Sequence, residues 1–180
     1  MKFRYNLSTL FLIWLTLSCQ AENTITSLVI LNESDNIVVT PQLEFSTSNE
    51  IKEAIDNGIR VQLIVKAQLY EPVSWWFDNS ISSKYINLEI SYYVLGEYYV
   101  VLNKNTDQRI GNIEYDRLWG QLDKLINIKL PKLNSKDPWI KLRIELDKGS
   151  LPTAMQLPVL FDENWDIDTA WFSQQVKVSD

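Results

Sequence analysis

Apolar and polar residues alternate along most of the chain beyond residue 23. Val61, Leu63, Val65, Ala67 and Leu69 occupy every second position of one segment. Ile86, Leu88, Ile90, Tyr92 and Val94 do the same opposite Asn87, Glu89, Ser91 and Tyr93. The cleanest run sets Ile140, Leu142, Ile144 and Leu146 against Lys141, Arg143, Glu145 and Asp147. A period of two is that of a half-buried antiparallel strand. Shorter runs over 24–45, Tyr98–Leu102 and Arg109–Ile113 add further strands, with Asn32–Asn36, Gly96-Glu97 and Asn103–Asp107 as turns between them.

Two segments break this period. Thr47-Ser48-Asn49-Glu50 has the spacing of a capping box, Ile51, Ala54 and Ile55 follow at helical intervals, and Gly58 suits the C-terminal stop. Leu118, Leu122, Leu125 and Ile126 predict a second helix over about Tyr115–Ile126. Pro131 and Pro138 bracket a polar loop, and the tail from Leu151 to Trp171 is expected to hold one or two edge strands. The sum is a mainly β chain: an antiparallel β-sandwich, immunoglobulin-like, with two short helices in its connections. A barrel with a packed helix is the alternative.

The first residues read differently. Lys2 and Arg4 precede an apolar run from Leu7 to Leu17, too short to span a bilayer as a helix and suited to a signal peptide. This divides the chain into a signal over 1–21 and one β-rich domain over 22–180. Two processing routes stay open. In the first, Cys19 and Ala21 occupy the −3 and −1 positions and Glu22 starts the mature chain. In the second, Leu15-Thr16-Leu17-Ser18-Cys19 is a lipoprotein box and Cys19 is acylated. The expected location is the periplasm or beyond, with lipid anchoring in the envelope as the alternative. Cys19 is the only cysteine, so either route leaves no disulfide within the mature domain.

Composition then narrows the chemistry. The net charge is −6, and losing Lys2 and Arg4 with the signal takes it to −8. That speaks against nucleic acid as a partner. There is no histidine, hence no His-based triad and no His-ligated zinc. No nucleophile elbow, phosphate loop or dinucleotide motif occurs. The expectation is a non-enzyme without cofactor or metal. Asp162–Asp168 has acids at alternate positions, but Ile167 and Ser173 stand where a calcium loop needs Gly and Glu. Paired carboxylates for a cell-wall hydrolase remain open among 23 acids.

The aromatic residues are the candidate binding chemistry. They fall as Trp75-Trp76-Phe77, Tyr92-Tyr93 and Tyr98-Tyr99. Neighbours in a strand point to opposite faces, so one of each pair is available for stacking on a sugar or gripping a peptide. Trp75, Trp76, Tyr93 and Tyr99 are the candidate site residues.

Several local patterns carry a family resemblance: Ala54-Ile55-Asp56-Asn57-Gly58-Ile59 before the strand Val61–Leu69, Trp75-Trp76-Phe77-Asp78, Ile90–Leu95 with Tyr98, and Leu142–Asp147 with Leu151-Pro152, Trp165 and Trp171. In this order they resemble the DUF4390 family, a domain of unknown function in proteobacterial exported proteins. The resemblance implies export and one β-rich domain, and supplies no catalytic residues. It also implies a place beside a membrane sensor histidine kinase, since family members tend to be encoded near one and near a ribosomal-RNA methyltransferase. The leading expectation is a periplasmic binding or accessory module for an envelope protein or peptide, a sensor kinase among the candidates. A structural lipoprotein anchored through Cys19 is the second expectation, and a carboxylate hydrolase the third.

Overall fold

The computed structural model describes residues 23–71, 79–133 and 138–176. In chain order the strands are β1 (Thr24–Asn32), β2 (Asn36–Glu44), β3 (Val61–Glu71), β4 (Asn79–Tyr93), β5 (Tyr98–Asn103), β6 (Arg109–Asn112), β7 (Ile128–Pro131), β8 (Trp139–Leu146) and β9 (Phe172–Gln175). The helices are α1 (Asn49–Asp56), α2 (Tyr115–Trp119) and α3 (Thr153–Val159). The strands form two antiparallel sheets, β1-β2-β7 and β6-β5-β4-β3-β8-β9, the larger curled like half a barrel. The fold is sandwich-like. Its strand order is not that of an immunoglobulin domain, because β3 to β6 run as one meander within a single sheet.

The alternation seen in the sequence decides which face is buried. Val61, Leu63, Val65, Ala67 and Leu69 of β3 are all 0% exposed. They pair on one side with Ile90, Leu88 and Ile86 of β4, and on the other with Leu146, Ile144, Leu142 and Ile140 of β8. The smaller sheet adds Ile25, Leu28, Ile37, Val39, Ile128 and Leu130 to the same core.

Helix α1 forms as expected, with its cap shifted by one residue. Ser48, not Thr47, accepts the Ile51 N–H, at 3.3 Å. Thr47 is occupied elsewhere, at 2.7 Å from the Tyr115 hydroxyl. Gly58 follows the helix at φ +86°, a conformation that costs a residue with a side chain.

The second expected helix is broken. α2 ends at Trp119, and Leu122–Leu125 tightens into a 3₁₀ turn. Gly120 at the break is a poor helix former. The Leu125 carbonyl, at the end of this turn, accepts the Asn103 side-chain N–H at 2.9 Å. The spacing of the buried residues survives while the hydrogen-bond ladder does not.

The tail corrects the sequence expectation further. It begins with α3, which fully buries only Val159 and so shows no amphipathic period. Pro131 ends a strand, β7, that pairs with β2. Residues 167–169 then run along β8, and β9 continues on the same strand after one extra residue near Ala170, which has φ +52°. Such a bulge turns the chain locally, and Trp171 emerges 40% exposed.

The edges of the two sheets meet through one side chain. Gln174 of β9 accepts the Leu28 N–H at 3.0 Å and donates to the Leu28 carbonyl at 2.9 Å. Leu28 lies opposite Pro41, which has no N–H, so its own polar groups are free to point outward. Among the described residues, no helix is long and apolar enough to cross a membrane. Replacing Gln174→Ala leaves both Leu28 groups without this partner. The expected cost is about 1–3 kcal/mol in urea-unfolding stability, with an unchanged far-UV circular dichroism spectrum.

Candidate functional site

The outer face of β4-β5-β6 carries a groove lined by aromatic, apolar and charged side chains. The β4–β5 register sets Tyr93 beside Tyr98 and Tyr92 beside Tyr99. The Tyr93 and Tyr98 rings lie 5.3 Å apart between centroids, tilted by 45°. Tyr93 is 50% exposed and Tyr98 partly so. Around them, Glu89, Ser91, Val100, Leu102, Arg109 and Gly111 line a groove of about 390 Å³. A second hollow of about 620 Å³ shares Tyr98 and Gly111 and extends to Ile113, Glu114 and Arg117.

Two glycines seat the Tyr98 ring. A Cβ on Gly96 falls 2.6 Å from Tyr98 Cδ1, and one on Gly111 falls 3.2 Å from Cδ2. The positive φ of this turn belongs to Glu97, at +53°. Gly96 is therefore required by the close approach of a ring.

The groove lining carries one acid and one cation, Glu89 and Arg109. Glu89 is its acid, and both oxygens are engaged, by Arg60 at 3.4 Å and Lys104 at 3.3 Å. Arg109 is exposed and pairs with no acid among the described residues. With Glu89 held by Arg60 and Lys104, Arg109 is the cation of the groove lining left without an acid partner among the described residues.

The inner face of the same strands is built for cohesion. Tyr92, Tyr99, Tyr115, Trp119 and Phe45 form a chain of ring contacts with centroid separations of 4.9 to 5.8 Å. The Tyr99 hydroxyl donates to Asp56 at 2.6 Å, and Lys52 donates to the other Asp56 oxygen at 2.6 Å. Burial alone pushes Asp56 up, but the Lys52 and Tyr99 bonds outweigh it and hold the carboxyl below its usual range. The Asp56 bond in turn raises Lys52. Burial lifts Tyr99, with its bond to Asp56 adding to the shift, and burial pushes Tyr115 up to about 12. These groups form a fixed ion pair and neutral phenols at neutral pH. The Trp119 N–H is buried without a hydrogen-bond partner among the described residues, and the Trp119 and Tyr115 rings meet at 72°.

A third concavity, of about 260 Å³, lies between Asn23, Ser46, Thr47 and Ser48 on one side and Glu163, Asn164 and Asp166 on the other. Both acids come from one turn, so the opposite wall contributes only amides and hydroxyls. The remaining acids of 162–168 have structural partners. Asp162 accepts the Asn164 N–H at 3.0 Å, and Asp168 takes a bidentate pair from Arg143 and the Ala170 N–H at 2.9 Å.

Of the four candidate aromatics, Trp75 and Trp76 lie outside the described residues, as do Cys19 and Ala21. Tyr93 is on the groove. Tyr99 is on the opposite face, 6% exposed and bonded to Asp56. The cross-strand register makes Tyr98 the companion of Tyr93. Alternation alone says that the members of a pair diverge; only register says which members converge.

With this geometry in place, the chain can be compared with known proteins. The family model described as "Domain of unknown function (DUF4390)" matches residues 20–175 of 180. The chain belongs to the DUF4390 family. No curated protein and no solved structure matches it significantly. The matched span of this DUF4390 member includes the groove, the aromatic chain and both sheets.

Asp56 and Asp168 set an acid sensitivity. Burial raises both, and hydrogen bonds to Lys52 and Arg143 respectively bring the net shift below the usual carboxylate value. Their stabilisation is complete above the unfolded value of about 4 and is lost as pH falls through it and through the lower folded values. Chemical denaturation from pH 7 to 3 should show this decline, with a shallower slope in Asp56→Asn and Asp168→Asn.

Proposed function

We propose that this protein is a non-catalytic binding module of the bacterial cell envelope. It holds an anionic or polar segment of another envelope component in the groove between Tyr93, Tyr98 and Arg109. The observation that carries this reading is the pair of accessible tyrosines beside Arg109, which has no acid partner among the described residues. The rings supply apolar contact at low entropic cost and the guanidinium supplies directional donors. A sheet face framed by the edge strand β6 suits an extended peptide, which can add main-chain bonds along that edge. The sensor histidine kinase associated with the family is the partner we favour, on the strength of the resemblance alone.

The acids support this reading over hydrolysis. Glu89 is committed to two cations, and the two acids of the third hollow share one wall. A glycosidase needs two carboxyl groups flanking the scissile bond.

The test is affinity capture of the tagged, processed protein from envelope extract. Wild type is compared with Tyr93→Ala/Tyr98→Ala and with Arg109→Gln, each first checked for an unchanged melting temperature. A captured protein should fall by about tenfold, equivalent to roughly 1.4 kcal/mol, in either variant. Equal capture by all three proteins would remove the groove from consideration. If the kinase is the partner, the same variants should change phosphorylation of its response regulator.

A further inference from the structure

A second surface, away from β4-β5-β6, exposes apolar side chains where the fold has no use for them. Leu157 is 70% exposed, Leu160 55% and Phe161 87%. They cluster at the end of α3, and the helix holds them out firmly. Val159 anchors its underside in the core at 3% exposure. Gln156 donates to both the Gly149 and Leu151 carbonyls at 2.9 Å. The backbone continues as a turn, with Leu160 N–H on Leu157 and Phe161 N–H on Pro158. Three large apolar groups displayed on a fixed support form an interaction surface.

The path of the chain indicates what covers it. Asn23, the first described residue, faces Glu163 and Asn164 across a shared hollow. Glu163 is two residues from Phe161, at most about 7 Å of chain. The apolar run Leu7–Leu17 ends six residues before Asn23, at most about 20 Å of extended chain, and Cys19 is about 14 Å away on the same measure. Whatever holds the N-terminal segment in a membrane therefore brings the end of α3 within reach of that bilayer.

We propose that Leu157, Leu160 and Phe161 insert into the lipid surface to which the N-terminal segment leads. The inference rests on the processing route in which Cys19 is acylated and retained, and is independent of the groove. Charge selects the lipid. Asp162, Glu163 and Asp166 flank the apolar cluster, and Lys148 is the one described cation paired there, 4.0 Å from Asp166. The surface suits zwitterionic headgroups and is repelled by anionic ones. Three side chains give weak, reversible attachment alone, of the kind a single acyl chain provides, and add to an anchor at Cys19.

The test uses the chain as cells process it. Cys19 is the only cysteine and is either removed or acylated, so an introduced thiol is the one free thiol of the product. Leu160→Cys carries an environment-sensitive fluorophore, with Gln108→Cys, in the exposed turn before β6, as the control. The probes are phosphatidylcholine vesicles with brominated acyl chains. At position 160 the emission should shift to the blue and be quenched roughly twofold; at 108 neither should occur. Adding Phe161→Ser should return position 160 to the control value, and replacing about a third of the lipid with phosphatidylglycerol should not increase quenching. An unquenched label at 160 overturns the proposal, whether or not the protein sediments with the vesicles. Quenching that appears only with anionic lipid overturns it as well. Both readouts are insensitive to Tyr98→Ala, so failure here leaves the groove reading intact.

Discussion

The ladder of β4, β3 and β8 is the constraint on which the rest of the molecule depends. β3 is paired along both edges, and its five inward side chains have no solvent contact. A slip of one residue in either register would turn that entire set outward, so burial makes the pairing unambiguous. Every other element takes its position from this ladder. β5 and β6 extend it on one side, the tail follows β8 on the other, and the smaller sheet closes over the apolar face.

The ladder also explains how much of the fold was legible in advance. Strict alternation in 61–69, 86–92 and 140–146 encodes strand type and buried face together, and all three segments behave accordingly. Elements stabilised by single polar contacts were not legible. Asn103 reads as an ordinary turn residue, yet it is 1% exposed, holds the turn through Asn105 and Thr106, and satisfies the Leu125 carbonyl at the end of the 3₁₀ turn. α3 is held by Gln156 and one buried valine, so no periodic signal announces it.

The candidate groove was half legible, for a related reason. Composition and alternation identify tyrosines as the available chemistry, and they separate Tyr92 from Tyr93 and Tyr98 from Tyr99. Which two share a face depends on the length of the Val94–Glu97 turn, and that turn is shaped by a ring lying against Gly96 and Gly111. The arginine beside them gains its meaning from Glu89, twenty residues earlier, being already neutralised by two other cations. A linear sequence does not display such three-body relations.

The Gln174 bridge to Leu28 has a mechanical consequence. It joins the strand by which the described chain enters the core to the strand by which it leaves. A domain held at its N-terminal side and pulled at its C-terminal side would carry that load first through one amide group rather than through a ladder. The clasp can open while the β3 ladder stays closed, exposing β1 and β9 as unpaired edges ready to accept another strand.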